Sequence, residues 1–224
     1  MGKRDRELKF FLKNILFCLI FFCWLSPVLA FNTSELIAKL ETQCVSLNTV
    51  QMDFVQKTKV ITARPPREKE FQGVMYLKRP GKIRWDYKPP KDYHIISDGE
   101  KIWFYDEKTK QVMVGKLEAY MDKHLISSLF LNIKNIKKFF YINGEEEKDC
   151  FKLTLTPHEP RPQLGKIVVW VKKKQLQIIK VQLTDLYGNV NILNFTKIIP
   201  NPALKDSLFN FQPPPGVEKI RLPF

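Results

Sequence analysis

Four basic side chains, Lys78, Arg79, Lys82 and Arg84, share the stretch KRPGKIRWDY with Trp85 and Tyr87. Cations interleaved with aromatic rings can hold a single nucleic-acid strand, the rings stacking on bases while the cations neutralise phosphates. That chemistry needs both kinds of side chain in one groove. The stretch alternates as a strand does, and neighbouring side chains of a strand point to opposite faces. Ile83, Trp85 and Tyr87 then share one face, while Arg84, Asp86 and Lys88 share the other. We expect the cations on a solvated outer face and the rings on an inner one, with no nucleic-acid partner.

Other residues with chemical potential are not arranged to use it. His94, His124 and His158 have no second ligand type at helical or hairpin spacing, so no metal site is expected, and His124 reads as a surface residue. Glu145, Glu146 and Glu147 read as a solvated hairpin loop. No Gly-rich phosphate loop, G-x-S-x-G, HExxH or CxxC occurs. A secreted hydrolase with an unmarked serine stays open, but the expected class is a non-enzymatic binding or carrier protein that uses no cofactor.

The elements that must position these residues begin after a targeting segment. Lys3, Arg4, Arg6, Lys9 and Lys13 form a basic start, Ile15 to Leu25 an apolar run, and Val28-Leu29-Ala30 a small-residue cleavage pattern. Residues 1–30 therefore read as a secretory signal, its apolar core being shorter than the roughly 20 residues that span a bilayer. Cys18 and Cys23 follow Phe17 and Phe22, so no lipid-modified cysteine is expected. The whole chain carries a net charge of +14; five basic and two acidic residues fall in the first thirty, leaving +11 for 31–224. Such a charge bears on partners rather than on fold. Cys44 and Cys150 could form one disulfide or remain as buried thiols.

One domain is expected over 31–224. Asn32 and Glu35 form a capping-box pattern ahead of Leu36, Leu40, Cys44 and Leu47 at helical spacing, which predicts a helix over about Thr33 to Leu47. Strands are expected at Val50 to Val55, Phe71 to Lys78, Ile83 to Tyr87, Tyr93 to Ser97, Lys101 to Tyr105 and Gln111 to Gly115. Turn residues such as Pro80-Gly81 and Asp98-Gly99 separate them. The basic ARPPREK stretch, Ala63 to Lys69, reads as a loop. LEAYMDKHLISSLFLNIKNIKKFF, from Leu117, predicts a helix to about Leu131 and a short helical turn before Phe139. Strands resume at Phe139 to Ile142, Phe151 to Thr156, Lys166 to Val171, Leu176 to Thr184 and Val190 to Ile199, with Asn143-Gly144 as a turn. This is a mainly β fold with helices. A sheet of about eleven antiparallel strands curls to bury its apolar face, giving an incomplete, half-open barrel with the helices over it.

Phe54-Val55-Gln56, Gly73 ahead of LKRPGKIRWDY, SDGEKIWFYDEKTKQV, Asp185 with Gly188-Asn189, and FNFQPPPGV from Phe209 occur in an order and spacing that resemble the periplasmic outer-membrane lipoprotein carrier (LolA) family. The resemblance implies a half-open barrel closed by a helical lid that holds lipoprotein acyl chains. Its partners would be an inner-membrane lipoprotein-releasing ABC transporter and an outer-membrane receptor, and it would act as a monomer in the periplasm. It implies that Arg79 latches the lid. With strand parity, it points to Met75, Leu77, Ile83, Trp85, Ile96 and Phe104 as acyl-chain cavity lining, joined by Leu125, Leu129 and Phe130 from the lid. Phe71 and Phe195 are lesser candidates for that lining. A periplasmic lipid or lipoprotein sensor of the same fold stays open as an alternative, as does a membrane-surface protein using the basic amphipathic run Leu125 to Phe140.

Overall fold

The computed structural model describes residues 31–120, 129–131, 133–160 and 162–222. Residues 1–30, the middle of the predicted 117–131 helix, His124 and Leu125 lie outside them. Helix α1, Thr33–Val45, starts where the Asn32 side chain accepts the Glu35 N–H at 3.1 Å. The Glu35 carboxylate turns to Lys39 instead, 2.7 Å away. Leu36, Ile37 and Leu40 form the buried stripe of α1.

Twelve strands follow among the described residues: β1 (Thr49–Val60), β2 (Arg67–Lys78), β3 (Lys82–Tyr87), β4 (Tyr93–Ser97), β5 (Lys101–Asp106), β6 (Gln111–Lys116), β7 (Phe140–Glu146), β8 (Cys150–Pro157), β9 (Lys166–Lys172), β10 (Gln177–Thr184), β11 (Val190–Pro200) and β12 (Glu218–Arg221). They form one open sheet in the order β12-β6-β5-β4-β3-β2-β1-β11-β10-β9-β8-β7, with β1 and β11 paired in the middle and the ends left unjoined. Helical residues include α2 (Leu117–Tyr120), Leu129 and Phe130, and 3-10 turns run over Ile133–Lys138 and Asp206–Phe209.

Three expectations about the strands change. The hairpin arm of β1 and β2 is longer than read, so Arg67 to Lys69 are paired strand rather than loop. Asn143 and Gly144 lie inside β7 opposite Thr154 and Leu153, and the turn comes later, where the Glu147 N–H donates to the Cys150 carbonyl. The tail adds β12, which runs parallel to β6.

Directly opposed residues of an antiparallel pair lie on one face. Met75, Trp85, Ile95 and Phe104 form one such row across β2 to β5, with Leu77, Ile83, Ser97 and Ile102 beside it. Val50 and Met52 continue both rows onto β1. We call this the inner face, because Val50 and Met52 line a cavity together with Leu40 and Cys44 of α1. The outer row is Tyr76, Arg84, Ile96 and Trp103.

Over β4 to β6 the outer face is covered rather than solvated, contrary to the sequence reading. Ile96, Trp103, Tyr105 and Val112 form a second core capped by Phe211 and Val217 from the chain's end. The cations of the opening stretch are spent inside the chain. Lys78 and Lys82 both reach Asp206, at 2.8 and 3.1 Å, and Arg84 pairs with Asp86 at 2.7 Å while donating to the Leu208 carbonyl at 3.1 Å. Asp86 also meets His94 Nδ1 at 2.6 Å.

This cluster makes stability depend on pH. The hydrogen bond to Asp86 raises the His94 pKa above its ordinary value despite burial. Burial pushes Asp86 up, but the bonds from His94 and Arg84 outweigh it and hold its carboxyl low. A raised histidine stabilises the fold fully below about pH 6.5 and loses that contribution as pH rises through its folded pKa. The melting temperature should therefore fall on passing from pH 6 to pH 8, and His94→Gln should flatten that slope. An unchanged slope in the variant would assign the dependence elsewhere.

Candidate functional site

Arg79 sits at the β2–β3 turn, where Gly81 takes a left-handed φ of +68°. The Asp98-Gly99 turn of β4–β5 backs it: a Cβ on Gly99 would come within 3.0 Å of the Pro80 carbonyl. Asp98 Oδ1 accepts the N–H groups of Glu100 and Lys101, and Ser97 Oγ that of Gly99. Two braced turns thus present one guanidinium.

That guanidinium faces carbonyls. Nε donates to Leu47 O at 2.7 Å, and one terminal nitrogen donates to Cys44 O at 2.9 Å and to Leu131 O. Cys44 lies in the last turn of α1, Leu47 two residues past its end, and Leu131 follows the helical residues Leu129 and Phe130. The last carbonyls of a helix have no partner within it, and a planar fork can satisfy several at once. Arg79 therefore ties both segments to the β2–β3 turn.

Beneath these bonds lies a cavity of about 110 Å³. Leu40 and Cys44 line it from α1, Leu47 from just past its end, Val50 and Met52 from β1, Ile178 and Ile198 from β10 and β11, and Leu129, Phe130 and Ile133 from the covering segment. The Cys44 thiol donates to the Phe130 carbonyl at 3.6 Å, and burial pushes its pKa up. Both Cys44 and Cys150 are free thiols.

Of the residues named from the sequence, Leu129 and Phe130 line this cavity. Met75, Leu77 and Ile83 are buried on the same inner face under 3% exposed, further along the sheet. Trp85 and Phe104 share that face, Trp85 buried and Phe104 half-buried. Ile96 is a correction: it opposes Arg84 and Trp103 on the outer face, inside the second core. Phe195 is buried and stands edge-on to Phe130 at 5.3 Å. Phe71 stands edge-on to Tyr87 at the far rim, where the Lys91 ammonium lies 3.5 Å from the Tyr87 ring centre. The lining from α1, β1, β10 and β11 was missed as a site. Its alternation was legible, but only as core.

The Asp185, Gly188 and Asn189 signature builds a brace at the same far end. Asp185 accepts the Tyr187 and Asn189 N–H groups, and Asn189 Oδ1 accepts those of Ile61 and Thr62. The β10–β11 turn is thereby tied to the tip of the β1–β2 arm.

Among the described residues no cluster of His, Cys, Asp or Glu could hold a metal ion, and no helix is long and apolar enough to cross a membrane. An open sheet whose apolar inner face is covered by helices and held by one arginine defines a binding fold of the carrier type. Comparison gives the family. The profile described as "Outer membrane lipoprotein carrier protein LolA" matches residues 45–212, and the chain belongs to that family. Relatives called outer-membrane lipoprotein carrier protein include one from Nitrosospira multiformis, 29% identical over 82% of this chain and 87% of its own. One from Methylobacillus flagellatus is 30% identical over 72% and 78%. In fold, the chain is similar to an uncharacterized conserved protein of Thermus thermophilus, with a TM-score of 0.53, 13% identity, and coverage of 85% of this chain and 100% of that one.

Proposed function

We propose that this protein is a non-enzymatic carrier exported to the periplasm by residues 1–30. It accepts lipoproteins released from the inner membrane by an ABC transporter, shields their acyl chains on its inner face, and hands them as a monomer to an outer-membrane receptor. The observation that carries this reading is the Arg79 bridge over an apolar cavity. Pockets that enclose drug-sized ligands run to about 300–1,000 Å³. At about 110 Å³ the cavity is smaller, so cargo must lift the covering segments and break the arginine's bonds. Burial contributes roughly 0.8 kcal/mol per methylene, and opening takes back part of it. Loading is thereby favourable without being irreversible.

The test is release. Inner-membrane vesicles bearing a labelled lipoprotein and its transporter are incubated with purified residues Phe31 to Phe224, and ATP-dependent appearance of a soluble one-to-one complex is scored. Complex formation is the expected outcome. Acyl-chain binding without release would instead favour a lipid or lipoprotein sensor of the same fold.

A further inference from the structure

Trp85 is about nine-tenths buried, yet its indole N–H has no hydrogen-bond partner, and it is the one such side-chain donor or acceptor among the described residues. A buried polar group left unpaired is unfavourable, and natural folds seldom retain one without a use. Its surroundings indicate a use.

Polarity changes along the inner face at this ring. Toward Arg79 the face is apolar, with Met75 opposite Trp85, and Leu77 and Ile83 paired beyond. Phe54 stands edge-on to the indole at 5.4 Å. One step the other way, Tyr87 stacks on Trp85 at 5.8 Å and begins a polar cluster. The Tyr87 hydroxyl donates to Gln56 Oε1 at 2.6 Å, Gln56 Nε2 donates to Asn191 Oδ1 at 2.8 Å, and Thr58 Oγ1 donates to the same oxygen at 2.6 Å. These bonds are made within the cluster, so the indole N–H alone lacks a partner at the boundary.

An acyl ester has the matching pattern: a hydrocarbon tail, then a carbonyl that accepts but cannot donate, then a polar head. We infer that the Trp85 N–H donates to the ester carbonyl of a bound acyl chain and so sets the orientation of cargo, tail toward Leu77 and Ile83 and head toward Gln56 and Asn191. The inference rests on the carrier reading above.

The test uses a diacylglyceryl-cysteinyl lipopeptide and its dialkyl ether analogue of equal chain length, titrated into protein carrying 15N-labelled tryptophan. Residues 31–224 hold three of the chain's four indoles, Trp85, Trp103 and Trp170, and the Trp85→Phe variant assigns the signal. The Trp85 indole proton should move downfield with the ester and stay in place with the ether. Wild type should bind the ester about three- to tenfold more tightly than the ether, the range of one neutral hydrogen bond. Trp85→Phe should bind both alike. A diacyl phospholipid run in parallel shows whether phospholipid esters are accepted by the same donor. Binding of both lipopeptides without the proton shift, or an ester preference retained in Trp85→Phe, overturns this inference and spares the carrier. Binding of neither lipopeptide overturns both.

Discussion

Arg79→Leu is expected to load lipoprotein and fail to deliver it. The guanidinium bridges the carbonyls of Cys44, in the last turn of α1, and Leu47, just past its end, to that of Leu131. On the carrier reading, those bonds must break for the cavity to widen. The arginine would then stabilise the state that cargo has to displace. Hydrogen bonds from a charged donor contribute about 1.5–3 kcal/mol each when buried; at this half-buried site, with water able to replace part of each bond, we take about 2 kcal/mol for the group. Removing it should tighten cargo by roughly thirtyfold, and since affinity differences within one complex reside mostly in the off-rate, slow transfer by a similar factor. The check starts from preformed complexes and follows delivery to outer-membrane vesicles bearing the receptor. Arg79→Lys should fall between, because an ammonium lacks the planar fork that spans several carbonyls. A merely structural arginine would lower melting temperature and cargo affinity together, whereas the latch predicts opposite signs. Normal delivery by Arg79→Leu would sink the assignment.

How far this site could be read from sequence depends on which side chains report a face. From β2 to β6 the hairpins were legible, since turn pairs such as Pro80-Gly81 and Asp98-Gly99 take positive φ at glycine and the strands alternate between them. On β4 the alternation fails as a guide. Ile95 and Ile96 are both apolar, as are Ile102, Trp103, Phe104 and Tyr105, because both faces of that part of the sheet are covered. What covers the outer one is the segment around Phe211 and Val217, more than a hundred residues away in sequence, and no local pattern announces it. Ile96 was misplaced for that reason. Strand β12 was invisible for a related one: Glu218–Arg221 is exposed throughout and is a strand only through its pairing with β6. Asn143-Gly144 shows the reverse, a strong turn signal overridden by pairing with β8. Spacing alone made Arg79 a turn cation. Resemblance assigned it to the lid; the structure gives the carbonyls it meets, those of Cys44, Leu47 and Leu131.

The inner face depends on a residue with no side chain, so Gly73→Ala should be among the most damaging single-methyl additions in the chain. A Cβ at Gly73 would lie 2.2 Å from the Asp86 carbonyl oxygen and 2.5 and 2.8 Å from two carbons of the Phe54 ring. Relief on one side means moving the backbone of β3, which is paired to β2 along its length. On the other side it means moving Phe54, which is 2% exposed and stands edge-on to both Trp85 and Tyr87 at 5.4 Å. Overpacking of this kind is destabilising by about 1–3 kcal/mol, and with backbone on one side we expect the upper end. For a domain of this size that is roughly 6–12 °C in melting temperature. Phe54→Leu added to Gly73→Ala should recover part of the loss, so that the double variant is less destabilised than the two single changes added together. The Asp86 carbonyl remains, so recovery should be incomplete. Thermal melts of the four proteins decide it: strict additivity would mean that Phe54 does not feel the new methyl. A Gly73→Ala protein melting within about 2 °C of wild type, less than 1 kcal/mol on the same scale, would mean that β2 and β3 separate more easily than their pairing implies. The ring displaced by that methyl is also the one standing edge-on to Trp85, so if Trp85 meets cargo, the same variant should weaken cargo binding.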